Sequence, residues 1–101
     1  MEFRIIKSPS KGTIDILMKR LGINVSNDLS CVGAIGLVQG RMIDMICAVD
    51  IAEKAVDVTV SDIKGSCPQN MIMIAIFGDT ASVESAILEI KCNLKKEKAI
   101  C

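Results

Sequence analysis

The sequence predicts an α+β fold, in which helices pack on a β-sheet. Three segments place apolar residues at the spacing of an amphipathic helix, and four others have the composition or period-two alternation of strands. Their order along the chain is strand, helix, strand, helix, strand, strand, helix, which is typical of a layered α+β architecture. At 101 residues the chain is most simply one domain, so these elements are expected to share a core.

The first two predicted elements lie at the N-terminus. Residues 3–7 (FRIIK) predict a short strand, and the following SPSKG supplies turn and helix-capping residues. A helix is expected in residues 12–22, with Gly22 able to end it. Its apolar residues recur at helical spacing: Ile14, Leu17, Met18 and Leu21.

A glycine-containing strand and a second helix follow. Residues 30–40 (SCVGAIGLVQG) predict a strand whose glycines, Gly33, Gly36 and Gly40, indicate close approach of a neighbouring element to the backbone. Residues 41–55 predict an amphipathic helix with solvated acidic side chains. We expect its apolar face to consist of Met42, Met45, Ile46, Val49 and Ala52.

The C-terminal half predicts two strands joined by a loop, then a last helix. Residues 56–63 alternate valine with polar residues, as in a strand covered on one side, whereas residues 71–77 (MIMIAIF) are apolar on both faces, as in a central strand. The last helix is expected within residues 78–94, with Asp79 or Thr80 as its N-cap. Its apolar face is Val83, Ala86, Ile87, Ile90 and Leu94.

The composition excludes several classes of function. Twelve basic and twelve acidic residues balance, which argues against a nucleic-acid ligand. No apolar stretch approaches the roughly 20 residues that span a bilayer, and the N-terminus does not resemble a secretory signal, so we expect a cytoplasmic protein without membrane contact. Without histidine, tyrosine or a nucleotide-binding glycine motif, the chain is not expected to be an enzyme.

Half of the residues are hydrophobic, yet aromatic residues make up 2%. Two interpretations of this aliphatic surplus remain open: it forms contacts between subunits, or it fills a dense core.

The cysteines suggest where a metal could bind. There are five (Cys31, Cys47, Cys67, Cys92 and Cys101), without a CxxC pair or a histidine, so a conventional zinc site within one chain is not expected. Any metal site must take ligands from another subunit. Cys67 lies in the predicted loop, two residues after Gly65 and directly before Pro68. The cysteines at predicted strand or helix positions, Cys31, Cys47 and Cys92, are expected to pack in the interior.

The segment GAIGLVQGRMIDMICAVDIAEKAV resembles the bacterial microcompartment (BMC) shell-protein family. It carries the family's AxDxxxKA pattern as Ala48, Asp50, Lys54 and Ala55, and the resemblance covers residues 32–90. The usual member has its last strand after the final helix, whereas this chain has FRIIKSPSKGTIDIL at its front, as in the circularly permuted subfamily.

The resemblance implies a single permuted BMC domain over residues 1–101, with a ferredoxin-like antiparallel sheet and helices packed on it. Its core is expected at residues 30–95, and the permuted strand and helix at 3–21. Family members form rings that pack side by side, commonly with a lysine at the contacting edge. This chain has Gln39 at that position, which suits a minor shell component.

The resemblance also implies a homo-hexameric ring that assembles with other shell proteins around encapsulated enzymes. In the family, the loop between the second and third strands of the core lines the central pore. In this chain, that loop joins the predicted strands at residues 56–63 and 71–77. Its residues here are Lys64, Gly65, Ser66, Cys67, Pro68, Gln69 and Asn70. They line the pore in this interpretation, or are simply exposed hairpin residues in the alternative one.

The GSCP loop resembles the group associated with glycyl-radical-enzyme microcompartments. This implies an iron–sulfur cluster, expected as [4Fe–4S], that is shared between subunits at the symmetry axis with Cys67 as the ligand. The expected function of such a cluster is electron transfer across the shell or redox sensing. The alternatives are a structural tile or small-molecule pore with a free Cys67 thiol, and a monomeric ferredoxin-like regulatory or ligand-binding domain.

Overall fold

The computed structural model describes residues 1–21, 33–63 and 71–94. Four strands form one antiparallel sheet in the order β1-β2-β4-β3, and three helices pack on it, which confirms the predicted α+β class. The elements are β1 (Glu2–Lys7), α1 (Lys11–Leu21), β2 (Ala34–Arg41), α2 (Met42–Ala55), β3 (Thr59–Ile63), β4 (Met71–Gly78) and α3 (Thr80–Leu94).

The β2–β4 pair forms the centre of the sheet. The two strands pair along their whole length, from Ala34 opposite Gly78 to Arg41 opposite Met71. β1 lies on one outer side and β3 on the other. The prediction that residues 71–77 form a central strand is therefore confirmed, since both faces of β4 are covered along most of its length.

Two apolar cores lie on opposite faces of this sheet. On one face, α2 and α3 cover the main core, which includes Val38, Ile74 and Ile76. On the other face, α1 contributes Leu17 and Leu21 to a second core with these side chains of the sheet: Ile35, Ile63, Ala75 and Phe77. Because alternate residues of β2 and β4 enter different cores, both strands are apolar on both faces.

Gly36 allows α3 to lie close against β2. A Cβ atom at this position would lie 2.8 Å from Ile87 Cδ1 and 3.0 Å from Val83 Cγ1, both on α3. A Cβ at Gly40 would lie 3.1 Å from Met45 Cε of α2. The predicted close approach at these glycines is confirmed.

The apolar face of α2 differs from the predicted one. The predicted members Met42 and Ile46 are 47% and 62% exposed, whereas Met45, Ala48 and Ala52 are fully buried. Two predicted members, Met45 and Ala52, are thus confirmed, and the buried face is turned about the helix axis toward Ala48. The reason is packing: α2 shares the main core with α3, and this contact sets which side of α2 is covered. Met18, one of the apolar residues at helical spacing in α1, is 46% exposed. The predicted inner face of α3 is confirmed for its four buried members, Val83, Ala86, Ile87 and Ile90.

β3 begins later than predicted, at Thr59 instead of residue 56. The Val56 N–H donates to the Ala52 carbonyl at the end of α2, and the Val58 N–H donates to the Val56 carbonyl. These bonds turn the backbone before it can join the sheet. β4 offers little further pairing there, because Thr59 is opposite Phe77 and β4 ends one residue later, at Gly78.

Asp79 caps the N-terminus of α3. The Ser82 N–H donates to Asp79 Oδ1 at 2.7 Å, and the Val83 N–H donates to the Asp79 carbonyl at 3.0 Å. Of the two predicted caps, the structure therefore uses Asp79. The hydrogen bonds from the backbone and side chain of Ser82 hold the pKa of the Asp79 carboxyl below its usual 3.8.

A side chain at position 36 should destabilise the protein. Gly36→Val forces Ile87 and Val83 away from β2, and overpacking of this kind costs about 1–3 kcal/mol. Urea unfolding measures the change. Gly12→Ala on α1 is the matched control, because no atom lies within 4 Å of the added Cβ, and its stability should be equal or higher. Equal stability of Gly36→Val and wild type would contradict this packing.

The Asp79 cap should give stability that depends on pH. Because folding lowers the pKa of Asp79, ionised Asp79 stabilises the fold above pH 3.8, and the contribution is lost as pH falls through the lowered value. Asp79→Asn keeps a neutral capping group without this titration. Urea unfolding measures the free energy of unfolding of both proteins. We expect the difference between wild type and Asp79→Asn to shrink as the pH falls below 3.8. A difference independent of pH would contradict the assignment.

Candidate functional site

The candidate site lies at one end of the β3–β4 hairpin. The last described pair of this hairpin is Ile63 opposite Met73, after which Met71 and Ile72 continue to pair with β2. The connecting residues 64–70, which contain Cys67 and all the predicted pore residues, lie outside the described residues. The structure therefore establishes the two ends from which the loop starts and leaves the roles of its side chains as predictions.

Both ends of the loop are held by the sheet. Ile63 is 8% exposed and belongs to the second core, where Leu17 and Leu21 of α1 also pack. Met73 packs against the same core. The packing of α1 thus stabilises the strand ends from which the loop extends.

The end of β2 beside the loop carries positive charge. Arg41 is exposed and pairs with Met71, the first described residue after the loop. α2 begins at the next residue, so its N-terminus, which has a partial positive charge, lies at the same end of the sheet. Asp44, in the first turn of α2, offsets part of this charge.

The cysteines within the described residues do not assemble a metal site. Within residues 1–21, 33–63 and 71–94, no group of three or more His, Cys, Asp or Glu side chains could hold a metal ion. Cys92 is exposed on α3, so the prediction that it packs in the interior is wrong. Its position falls outside the buried face of the helix. Cys47 is half-buried on α2, and Cys31 and Cys101 lie outside the described residues.

The AxDxxxKA pattern forms an ion pair on α2. Lys54 Nζ lies 2.8 Å from Asp50 Oδ2, one helical turn away. Both side chains remain partly exposed, so the pair contributes at most modestly to stability. Asp50 was expected to be solvated, but it is half-buried and its Oδ2 atom, beside Lys54, is buried. Ala48 of the same pattern is buried in the main core.

Two surface hollows were not predicted from the sequence. One, of about 130 Å³, is lined by Glu2, Arg4, Leu37, Gln39 and Met73. The other is a groove of about 690 Å³ between β1 and α3, and its lining includes Ile5, Glu84, Leu88 and Lys91. The sequence patterns indicate which side chains face outward, but these hollows depend on the spacing between elements.

The described surface exposes large apolar side chains on every helix. The most exposed are Ile43 at 71%, Ile46 at 62%, and Ile16 and Leu88 at 61% each. The aliphatic surplus therefore supplies both the cores and a surface available for contact between chains. No helix among the described residues is long and apolar enough to cross a membrane.

The chain matches the BMC domain family over residues 34–100. The match covers most of the chain, and the fold is an antiparallel sheet with helices packed on it. The protein therefore belongs to the BMC-domain family of microcompartment shell proteins. No curated protein sequence matches it significantly.

Solved structures support this assignment. The ligand-free GrpU microcompartment shell protein from Clostridiales bacterium 1_7_47FAA is 55% identical, with a TM-score of 0.73, over 95% of this chain and 94% of that chain. The ligand-free GrpU microcompartment shell protein from Pectobacterium wasabiae is 32% identical, with a TM-score of 0.72, over 89% of this chain and 99% of that chain. The fused permuted hexameric shell protein MSM0275 from the RMM microcompartment has a TM-score of 0.70 over 94% and 45%, and at 16% identity it shows similarity of fold alone.

Proposed function

We propose that this protein is a shell subunit that forms a homo-hexameric ring and lines the ring's pore with residues 64–70. The observation that carries the proposal is 55% identity with a microcompartment shell protein over nearly the whole of both chains. The hairpin supports it, because β3 and β4 end side by side, so that residues 64–70 start from two paired strands at one end of the sheet. The exposed isoleucines supply apolar area for association.

The chain is a circularly permuted member of the family in this proposal. The family match begins at Ala34 and leaves β1 and α1 outside it. β1 nevertheless pairs antiparallel with β2 and completes the sheet. A strand moved from the C-terminal to the N-terminal end of the chain would have this arrangement.

We infer that Cys67 ligates an iron–sulfur cluster, expected as [4Fe–4S], shared between subunits at the pore. The chemistry of the donors supports this inference, since thiolates are the usual ligands of such clusters and ring symmetry brings together one from each chain. A [4Fe–4S] cluster has four iron sites, so not all six thiolates would be equivalent ligands. The positive charge of Arg41 at the loop's end favours an anionic group nearby.

Three residues of the loop have defined parts in this proposal. Cys67 would hold the cluster, Gly65 would let the backbone approach it, and Pro68 would restrict the loop's conformations. When bound, the cluster would supply one-electron transfer across the shell or redox sensing. The protein itself would have a structural and not a catalytic role, in the cytoplasm, in contact with other shell proteins and encapsulated enzymes.

A second candidate is a structural tile or small-molecule pore without a cluster. The polar residues of the loop favour it, because Lys64, Ser66, Gln69 and Asn70 could hydrogen-bond to passing molecules. In this alternative Cys67 has no ligand role.

Cys67→Ser should separate these two functions. After anaerobic purification, native mass spectrometry of the wild type should show a hexamer with iron and acid-labile sulfide, and the variant should keep the hexamer and lose both. Cys92→Ser is the matched control, because this exposed cysteine of α3 lies outside the loop, and it should retain the cluster.

A metal-free hexamer in all three proteins after attempted reconstitution would overturn the cluster proposal and leave the tile. A monomer under the same conditions would overturn the ring itself.

A further inference from the structure

One cysteine of α2 is oxidised. Cys47, in the second turn of the helix, is half-buried and forms a disulfide. The other described cysteine, Cys92 of α3, carries a free thiol. The second sulfur of the bond therefore belongs to one of the cysteines outside the described residues, which are Cys31, Cys67 and Cys101.

Cys47 lies near the end of the sheet from which the loop of residues 64–70 extends. α2 begins directly after Arg41, which pairs with Met71 at that end. A helix rises about 1.5 Å per residue, so Cys47 lies roughly 8 Å back from the start of α2. The opposite end of the sheet, where Ala34 pairs with Gly78, is a whole strand length away from Arg41.

Cys31 is too far from this position to be the partner. It comes two residues before Gly33, and a Cβ at Gly33 would lie 3.1 Å from Asp79 Cα, at the start of α3. Two residues span about 7 Å at most, and a disulfide joins Cα atoms that are at most about 6.8 Å apart. Together these reach less than the roughly 18 Å that separate Gly33 from the level of Cys47 along the sheet.

The loop is a poorer source of the partner than the segment after α3. Cys67 is tied to a strand at both sides, and Ile63 at one side packs into the second core, on the face of the sheet opposite to α2. Pro68 also favours extended backbone at the residue before it. A bond to Cys47 would require both arms of the loop to rise onto the face that α2 covers.

Residues 95–101 start close to Cys47 and are long enough to reach it. α3 has 15 residues and starts at Thr80, at the far end of the sheet, so its length of roughly 21 Å brings its last turn back to the loop end. Its last residue, Leu94, packs against the main core to which Met45 of α2 belongs. Packed helices lie about 8–10 Å apart, whereas seven residues span up to about 24 Å.

We propose that Cys47 and Cys101 form a reversible disulfide that fastens the segment after α3 to α2. The bond lies within one chain, so this inference goes beyond the proposed ring and does not depend on it. The bond also leaves the Cys67 thiol available.

Formation of the bond requires an oxidant of the low-molecular-weight disulfide class, such as oxidised glutathione. One cysteine thiolate displaces a glutathione thiolate and forms a mixed disulfide, and the other cysteine thiolate then displaces the second glutathione. Two protein thiols and one glutathione disulfide become one protein disulfide and two glutathione thiols, which receive the two protons. Because disulfides in reducing compartments are usually transient or redox-sensing, this bond provides a redox switch.

The bond closes a long loop that contains β3, β4 and α3. Closing such a loop removes conformational freedom from the unfolded chain, so the oxidised protein is the more stable form. Reduction removes this constraint and detaches residues 95–101 from α2.

Peptide mapping identifies the pair, because trypsin places each of the five cysteines in a different peptide. These are peptides 21–41, 42–54, 65–91, 92–95 and the one that begins at residue 99. The full chain is treated with oxidised glutathione, its remaining thiols are blocked, and it is digested without reductant. Mass spectrometry should find peptide 42–54 linked to the peptide that begins at residue 99, and dithiothreitol should separate the two.

Cys101→Ser should remove both this link and the stability that it gives. Oxidised wild type should unfold at a temperature on the order of 10 °C above that of reduced wild type, and the variant should show no such shift. Cys92→Ser is the matched control, since its thiol is not part of the bond, and it should behave as wild type does. Each protein is compared with its own reduced form, so a direct effect of the substitution on stability does not enter the result.

Three results would overturn the proposal. A link from peptide 42–54 to peptide 65–91 would make Cys67 the partner, and a link to peptide 21–41 would make it Cys31. Peptide 42–54 without any link after oxidation would show that the bond does not form. A temperature shift that persists in Cys101→Ser would assign the stabilisation to another pair.

Discussion

The contact between Gly36 and α3 is the constraint on which the rest of the structure depends. Without a side chain at this position, Ile87 and Val83 lie directly on the centre of β2. β2 is also the strand that pairs with β4 along its whole length and with β1 at its other side. Close packing of α3 on β2 therefore positions both central strands, the outer strand from the N-terminus and the main core together.

The candidate site follows from this rigid centre. β4 is held by β2 up to Met71, and β3 is held by β4 up to Ile63, so the loop between them starts from two defined strand ends. α1 packs on the opposite face of the sheet and buries Ile63. In the proposed ring, these two strand ends would occupy equivalent positions in every subunit.

The periodicity of the sequence predicted the element order, the central position of β4 and the inner face of α3, because these depend on local spacing. It failed where packing between elements decides. The packing of α2 against α3 sets which side of α2 is covered, so Ala48 is inside and Ile46 outside. The start of β3 depends on where β4 ends. Cys67 lies outside the described residues, so its role stays a prediction from the chemistry of its side chain and the sequence around it.

The most direct measurement of the central claim is an experimental structure of the anaerobically purified assembly. We expect six chains around one axis, with residues 64–70 of every chain at that axis and the Cys67 sulfur atoms directed toward it. The β1–β2 pairing should be the same in each chain. A ring with these loops at its outer rim, or an assembly without a six-fold axis, would contradict the account.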